Sequence, residues 1–257
     1  MAFAQTDGCM LANSAPVHSA QQAMHQGLRE VVLRHLGADY RRTPGESGRR
    51  AFAAVVERLA RAPFVLDAGC GNGVSTFELA RRTPALTVIG IDKSATRLAA
   101  GLRQVECGTA PTNALLLRCD LVDFWQLAAQ ARLCCAAQLI LYPNPWPKAR
   151  HVMRRWHAHP VLPAILALGG TIELRTNWHV YAEEFAAALR LCGVDVELAG
   201  FFADAPLTPF ERKYAASGHA LWRCCAVADR SSARAAALRA QRHDARGVAR
   251  YPLLRGG

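Results

Sequence analysis

The sequence predicts an α/β domain built on a parallel sheet whose strands are joined by crossover helices. Short apolar runs alternate with amphipathic helical stretches from residue 63 onward, and a glycine-rich turn follows the first run. The chain has 257 residues, of which 51% are hydrophobic and 20% charged, enough for one large domain. No apolar run reaches the roughly 18 residues that span a bilayer. We therefore expect a globular protein with no membrane partner, neither fibrous nor mainly disordered.

Five strands and five helices are expected to alternate along this part of the chain. The apolar runs predict strands at 64–66, 86–91, 114–117, 138–141 and 171–174. The stretches between them predict helices at about 74–82, 95–105, 124–130, 161–168 and 180–191. Parallel strands need long connections, and a helix within each connection meets that need. No change of composition divides this block, so one domain is expected.

The chain is expected to divide at two places. Residues 1–50 comprise a loose tail, an amphipathic helix from about Ser19 and a basic loop over 40–50, which fits a solvated charge run as well as contact with an RNA backbone. Residues 51–228 form the α/β domain and begin with a helix at about 51–61. Residues 229–257 are rich in Ala and Arg with few apolar anchors, so a frayed tail is expected rather than a docked helix.

Charge and cysteine content indicate the partner and the compartment. Lys and Arg number 31 against 20 Asp and Glu, and this net charge of +11 favours a polyanion such as nucleic acid. The nine cysteines include no Cys-x-x-Cys pair, and the adjacent pairs 134–135 and 224–225 suit neither ordinary disulfides nor structural zinc. We therefore expect no metal and reduced, buried cysteines. The N-terminus resembles no signal or transit peptide, which favours a cytoplasmic location.

The first predicted strand runs into a glycine-rich turn, Asp67-Ala68-Gly69-Cys70-Gly71-Asn72-Gly73, directly before a helix. Glycine lets a ligand approach the backbone closely, and the start of a helix offers N–H groups. A dinucleotide fingerprint would place its third glycine at position 74, which is Val74. The spacing therefore favours S-adenosylmethionine over NAD. It resembles the first motif of class I methyltransferases, in which Asp67 would face the amino-acid part of the cofactor.

Two further acids follow the next predicted strands. Asp92 closes the second strand, where an acid in a nucleotide-binding sheet accepts both ribose hydroxyls. Asp120 follows the third strand, where a carboxylate can accept a hydrogen bond from the exocyclic amine of adenine. Each acid alone also fits a helix cap or a loop. Together, at successive strand ends, they favour a cofactor site, because ligands of wound sheets collect there.

The fourth predicted strand ends in a stiff segment, residues 142–148, with the sequence Tyr-Pro-Asn-Pro-Trp-Pro-Lys. Its three prolines favour a rigid loop over a helix. The amide of Asn144 and the indole of Trp146 fit a planar base held against the cofactor methyl group. The basic side chains expected to hold phosphate groups are Lys148, Arg150, Arg154 and Arg155. The alternative is a surface turn with a solvated basic helix, although a charged surface seldom needs a Trp there.

From residue 64 to residue 227 the sequence resembles the bacterial tRNA (guanine-N7)-methyltransferases. The resemblance lies in the glycine turn, in residues 143–155, in Thr176-Asn177-Trp178 with Tyr181-Ala182-Glu183, and in Thr208-Pro209-Phe210-Glu211 with Gly218-His219. The glycine turn is shared by many methyltransferases, whereas the other three stretches in this order are specific to the family.

The resemblance implies a class I S-adenosylmethionine-dependent methyltransferase with a Rossmann-like, seven-stranded, mostly parallel sheet, acting on guanine N7 of tRNA. Either a monomer or a homodimer is compatible with it. The cofactor contacts would be at Asp67, Asp92 and Asp120, beside Gly69, Gly71 and Gly73. The implied substrate contacts are Lys148, Asn177, Thr208, Phe210 and Glu211.

Two substrate-side residues depart from the family, which normally has Asp where this chain has Asn144 and Asn177. Guanine N7 carries an in-plane lone pair, so its methylation needs no general base, and such an acid would grip the donors on the guanine edge. An Asn oxygen still accepts one of those bonds, worth roughly 0.5–1.5 kcal/mol against roughly 1.5–3 kcal/mol for a charged acceptor. We therefore expect weaker binding of the base without loss of the reaction. Asn144 is the candidate catalytic residue, acting by placement.

Two other functions remain open at this stage. The sequence Asn-Pro-Trp-Pro at 144–147 has the same residue types as the Asn-Pro-Pro-aromatic loop of methyltransferases that act on exocyclic or side-chain amines, and it resembles that loop with two positions exchanged. A non-catalytic RNA-binding protein would keep the basic surface without efficient chemistry. The three acids at the strand ends weigh against the latter, because a protein without chemistry need not preserve a cofactor site.

Overall fold

The computed structural model describes residues 14–229 and 231, except residues 16, 20, 39 and 41. The strands are β1 Phe64–Ala68, β2 Thr87–Asp92, β3 Ala114–Arg118, β4 Cys135–Leu141, β5 Gly170–Thr176, β6 Val196–Phe201 and β7 Leu221–Ala228. The helices are α1 Leu28–Gly37, α2 Glu46–Ala53, α3 Val56–Ala60, α4 Val74–Arg82, α5 Ala95–Glu106, α6 Leu121–Gln130, α7 Leu162–Ala167, α8 His179–Leu191 and α9 Pro209–Ala216. Two 3-10 helices, Ala149–Arg154 and Trp156–Ala158, follow β4.

All seven strands form one sheet in the order β3-β2-β1-β4-β5-β7-β6. The first five in sequence are parallel, and β7 runs antiparallel to both β5 and β6. The strand order reverses between β1 and β4, and a crevice opens at such a point above the carboxyl ends of the strands. This seven-stranded, mostly parallel sheet confirms the predicted fold class.

The five predicted strands and five predicted crossover helices are all present, and the helix predicted at 74–82 has the bounds of α4. The last two strands had not been located in the sequence. β6 lies at the edge of the sheet, and its mixture of partly buried and exposed residues carries no clear alternation. Such edge strands give a weak sequence signal.

The helix predicted at 51–61 differs from the structure, because α2 begins five residues earlier, inside the predicted basic loop. The Gly45 N–H donates to Oδ2 of Asp123 on α6 over 3.1 Å, which anchors the turn before the helix. At Gly48 a Cβ atom would lie 2.6 Å from the same oxygen, so only glycine allows this approach. Phe52 of α2 then packs edge-on against Phe124. Tertiary contacts with α6 therefore set the start of α2.

The N-terminal helix packs on the domain through the predicted apolar stripe, in which Leu28, Val32 and Leu36 are buried. It begins at Leu28 and not near Ser19, because Gln21 and His25 hydrogen-bond to Glu184 of α8 instead of continuing the helix. Among the described residues no helix has the length and apolarity to cross a bilayer.

The structure does not test the predicted boundaries at 50/51 and 228/229, which stay predictions. The predicted C-terminal tail lies outside the described residues, apart from residues 229 and 231. Arg41 of the basic loop also lies outside them.

Candidate functional site

A cleft of about 560 Å³ opens at the carboxyl ends of β1, β2 and β4. This volume lies in the range of small-molecule sites, roughly 300–1,000 Å³. The predicted site residues that line it are Gly69, Asp92, Asp120, Asn144 and Arg154. The other lining residues are Arg42, Ala68, Lys93, Arg97, Leu121, Val122, Leu141, Tyr142, Pro143, Trp146, Trp156 and His159. The cleft therefore joins the predicted cofactor half to the predicted substrate loop.

The glycine turn adopts the backbone conformation that its sequence predicts. Gly69, Gly71 and Gly73 have φ of 83°, 59° and 84°, in the left-handed region that favours glycine. A Cβ atom on Gly71 would meet no atom within 4 Å, and on Gly69 none nearer than Leu121 Cδ1 at 4.0 Å. Because Gly69 and Gly71 have no side chain, open space remains beside these two residues. This cradle fits a ligand that lies close to the backbone, as the predicted cofactor would.

Asp67 lies beneath this turn and is not one of the cleft-lining residues. Its Oδ2 accepts hydrogen bonds from Ser75 Oγ at 2.6 Å and from Thr76 Oγ1 at 2.7 Å. Burial raises the pKa of Asp67 to about 6, although these two hydrogen bonds act in the opposite direction. The carboxyl group fastens the start of α4 to the end of β1. Its predicted contact with the cofactor stays a prediction.

Asp92 connects the end of β2 to the glycine turn. Its Oδ2 accepts from the N–H of Gly71 at 3.1 Å, and its Oδ1 accepts from the N–H of Ser94 at 2.8 Å. Arg97 approaches Oδ1 at 3.2 Å, but that arginine side chain is 58% exposed. Two backbone N–H groups therefore fix the carboxylate at the cleft, and its third partner, Arg97, is exposed to solvent.

Asp120 caps α6 and also lines the cleft. Its Oδ1 accepts from the Val122 N–H at 2.9 Å. Arg42 lies 3.5 Å from this carboxylate and 2.9 Å from that of Asp123, so the basic loop reaches the cleft at Asp120. Arg42 was not predicted as a cleft residue. Its only signal in the sequence is its membership of the basic loop, which fits a solvated face as well as contact with RNA.

Trp156 and His159 also line the cleft without having been predicted. Their rings lie 5.7 Å apart in an edge arrangement. Burial lowers the pKa of His159 to about 4, so its imidazole is neutral at pH 7. The two rings form an uncharged aromatic wall near Asp120, and neither residue lies in a periodic pattern of the sequence.

The substrate loop is non-helical, as its prolines predict. Tyr142 and Trp146 have positive φ values of 50° and 46°, uncommon for residues with a side chain. Asn144 is exposed, and its Oδ1 accepts the N–H of Trp146 at 3.2 Å. The Nδ2 donors of Asn144 therefore remain for a ligand.

The predicted phosphate-binding residues separate into two groups. Lys148, Arg150 and Arg154 are exposed, and the guanidinium of Arg154 lies 4.7 Å above the ring of Trp146. Arg155 is 0% exposed and forms an ion pair with Glu184, which is equally buried. The predicted phosphate contact of Arg155 is therefore wrong, because all access of RNA to its guanidinium is blocked by the protein itself.

Glu211 is also placed differently from the prediction. It is fully buried, and its Oε1 accepts from Tyr142 Oη at 3.1 Å and from Arg175 Nη1 at 3.0 Å. Thr208 caps α9 by accepting the Glu211 N–H at 2.9 Å. The predicted direct contact of Glu211 with the substrate is therefore wrong, because the side chain is buried. Glu211 instead supports Tyr142, which lines the cleft. Phe210, by contrast, is 59% exposed and stacks on Tyr214.

Asn177 follows β5 and joins a short polar chain outside the cleft lining. Its Nδ2 lies 2.9 Å from Nδ1 of His219, whose Nε2 lies 2.9 Å from the carbonyl oxygen of Ser14. A carbonyl only accepts, so His219 Nε2 carries the proton and Nδ1 accepts from Asn177. The Oδ1 of Asn177 is thereby presented as an acceptor. Its predicted contact with the substrate stays a prediction.

Comparison with known proteins identifies the family. A family model described as a putative methyltransferase matches residues 61–224. A tRNA (guanine-N(7)-)-methyltransferase of Leifsonia xyli subsp. xyli is 32% identical over 173 residues, which cover 63% of this chain and 74% of the relative. An enzyme of the same name from Mycobacterium avium is 36% identical over 130 residues, 49% of each chain. This chain thus spans about half the length of the second relative.

A solved structure shares the fold. The crystal structure of the 16S rRNA methyltransferase KamB matches with a TM-score of 0.50 at 18% identity, over 68% of this chain and 93% of that chain. The family model covers well over half of this chain, and the Leifsonia relative agrees with it. This chain therefore belongs to the tRNA (guanine-N7)-methyltransferase family.

Proposed function

We propose that this protein transfers the methyl group of S-adenosylmethionine to guanine N7 in tRNA. One observation carries the proposal: a single cleft joins the glycine turn and Asp92 to the Asn144–Trp146 loop. A methyl transferase needs these two halves to face each other, because the reaction is one in-line transfer between bound partners. The relatives with 32% and 36% identity, which are named for this activity, support the substrate assignment.

The cofactor half fits S-adenosylmethionine by the chemistry of its donors and acceptors. The Asp92 carboxylate would accept the ribose hydroxyls in place of Arg97, and Asp120 would accept the adenine amine. The open space beside Gly69 and Gly71 would receive the amino-acid part. When bound, the cofactor supplies a methyl group activated by a sulfonium. Asp67 would add negative charge behind the turn, where the cofactor carries positive charge.

The substrate half fits a base whose reacting atom needs no deprotonation. Guanine presents two neighbouring acceptors, N7 and O6, on the edge that would meet the methyl group. Asn144 offers Nδ2 donors, since its Oδ1 is already bonded to Trp146. A donor opposite O6 would orient the base without competing for the N7 lone pair. Placement, and not acid–base catalysis, is the proposed contribution of this residue.

The nucleic-acid partner is proposed from charge. Lys148 and Arg154 are exposed, Arg154 lines the cleft, and the chain carries a net charge of +11. Cations in this place would hold phosphates beside the target nucleotide without reading its sequence. The protein is proposed to act in the cytoplasm, where its tRNA substrate resides.

The test is methyl transfer from labelled cofactor into bulk tRNA, followed by identification of the methylated nucleoside. We expect 7-methylguanosine in the wild-type reaction and none with Asp92→Ala. In parallel, tRNA from a strain lacking this protein should lose 7-methylguanosine and regain it with the wild-type gene. A nucleoside methylated on an exocyclic amine would favour the amine methyltransferase instead. Absence of any product, with intact tRNA binding, would favour a non-catalytic RNA-binding protein.

A further inference from the structure

The buried arginine of the basic cluster contacts the substrate loop from inside the protein. Arg155 Nη2 donates to the carbonyl oxygen of Trp146 at 2.9 Å and to Oε1 of Gln21 at 2.9 Å. Arg155 Nη1 donates to Oε2 of Glu184, and its guanidinium lies 4.8 Å from the ring centre of Trp178. We propose that Arg155 is a positioning residue that holds the substrate loop, and through it Asn144, in the transfer geometry. This inference rests on the proposed function.

Trp146 is the junction through which Arg155 acts. Its carbonyl oxygen accepts from Arg155, while its N–H donates to Asn144 Oδ1 at 3.2 Å. The guanidinium carbon of Arg154 lies 4.7 Å from the centre of the Trp146 ring. The residue has φ of 46°, a conformation that persists only where surrounding contacts hold it. One backbone unit thus links the buried arginine to the candidate catalytic amide and to an exposed cation.

Glu184 and His157 orient the arginine. Glu184 Oε2 accepts from both Arg155 and His157 Nε2, the latter at 3.0 Å. Burial lowers the pKa of His157, so the imidazole is neutral at pH 7 and donates from Nε2. Burial alone would raise the pKa of Glu184, but the hydrogen bonds from His157 and Arg155 hold it below its ordinary value. The pair at neutral pH is therefore a carboxylate and a guanidinium, with the histidine as a neutral third member.

The N-terminal segment closes the other side of the same network. Gln21 Nε2 and the His25 N–H donate to Glu184 Oε1 at 2.6 and 2.8 Å. Ser19 Oγ donates to the carbonyl oxygen of Pro147 at 2.5 Å. The substrate loop is thus held at two successive carbonyls, by Arg155 at Trp146 and by Ser19 at Pro147. The segment before α1 and the buried arginine act on the same stretch of backbone.

Lysine cannot reproduce these contacts. A guanidinium presents several donors in a fixed plane, whereas an ammonium is a single point charge. A lysine at this position would keep the charge opposite Glu184 but would not also reach the carbonyl of Trp146. Arg155→Lys therefore separates the positioning contact from the charge balance of the buried pair. Arg103→Lys, at an exposed position on α5, is the matched control for the change of side chain.

The experiment has two readouts on the full-length protein. Amide hydrogen exchange at Asn144, Trp146 and Lys148, the residues of 143–148 that carry a backbone N–H, should be at least tenfold faster in Arg155→Lys than in wild type and in Arg103→Lys, with β1 and β4 unchanged. Methyl transfer to tRNA should show kcat reduced at least tenfold, with the dissociation constant for S-adenosylmethionine within twofold of wild type. Unchanged exchange in the loop would overturn the proposal whatever the activity.

A double-mutant cycle tests whether Arg155 acts through Asn144. If it does, Arg155→Lys should change kcat less than twofold when Asn144→Ala is already present, because the placed group is gone. Effects that multiply would mean that Arg155 supports the fold without positioning this amide, and would overturn the proposal. If wild type makes no 7-methylguanosine, the proposed function fails. Faster amide exchange in the loop of Arg155→Lys would still show that Arg155 holds the loop through the carbonyl of Trp146.

Discussion

Tyr142 donates its hydroxyl to Glu211 Oε1 over 3.1 Å, which ties a cleft residue at the end of β4 to a buried acid on α9. The same carboxylate accepts from Arg175 and from the Leu207 N–H. Burial, together with the charge of Glu211, raises the pKa of Tyr142 well above its usual value, so the phenol remains a donor. Glu211 thus gathers three donors from three parts of the chain.

Loss of this acceptor should destabilise the protein severely. Glu211→Ala leaves the Leu207 N–H and the Tyr142 hydroxyl without their acceptor and leaves Arg175 with Glu173 alone, so we expect a loss of about 3 kcal/mol in the free energy of unfolding. Urea denaturation measures it. Glu57→Ala, an exposed acid on α3, should change stability by less than about 0.5 kcal/mol. A similar small loss for both variants would contradict the role assigned to Glu211.

Cofactor binding should depend on Asp92. Asp92→Asn keeps one acceptor but loses the charge that the ribose hydroxyls would meet, so we expect affinity for S-adenosylmethionine to fall about tenfold to a hundredfold. Isothermal titration calorimetry gives the constants, with Glu57→Gln as the control. Binding of NADH by wild type, without binding of S-adenosylmethionine or its demethylated product, would refute the cofactor assignment.

Binding of tRNA should weaken steeply as salt rises, because cations release counterions from the phosphate backbone. Replacing the exposed pair, Lys148→Gln with Arg154→Gln, should reduce the slope of log affinity against log salt by roughly 1.4–1.8. Filter binding at several salt concentrations measures the slope. Arg190→Gln, on the exposed side of α8, is the single-charge control. An unchanged slope in the double variant would mean that these two cations do not touch RNA.

The two asparagines test the choice of substrate. Asn177 presents its Oδ1 as an acceptor, so Asn177→Asp should keep or raise methyl transfer, because a neutral acceptor becomes a charged one. Asn144 is proposed to donate from Nδ2, since its Oδ1 is already bonded to Trp146. Asn144→Asp should therefore lower methyl transfer, because a carboxylate would repel the acceptors of the guanine edge. Methyl transfer from labelled cofactor into bulk tRNA measures both variants, and unchanged or higher transfer in Asn144→Asp would contradict the donor role.

Asp67 should make stability depend on pH. Its pKa is about 6 in the folded protein against an ordinary 3.8, so the folded state holds the proton more tightly. The contribution of this group to stability is therefore lost as pH rises from about 4 through 6, by roughly 2–3 kcal/mol in total. Relative to wild type, Asp67→Asn should gain stability over that window and then level off. Parallel urea-unfolding curves for the two proteins from pH 4.5 to 8 would contradict the raised pKa.

The sequence by itself determined the features whose cause is local. Alternating apolar runs and helical stretches located the first five strands and their crossover helices. The glycines at 69, 71 and 73 indicated a turn of positive φ, and the acids Asp92 and Asp120 followed from their places at strand ends. Prolines around Asn144 indicated a rigid loop. Each of these follows from backbone conformation or from chain order within a few residues.

Only the tertiary structure decided the burial and the contacts of side chains whose partners are distant in sequence. Arg154 and Arg155 are neighbours of identical chemistry, yet one is exposed over Trp146 and the other is buried against Glu184, 29 residues away. Glu211 was matched by its motif, but its contacts with Tyr142 and Arg175 lie 69 and 36 residues away. The physical reason is that a buried charge requires a partner, and the fold, not the local sequence, brings that partner to it.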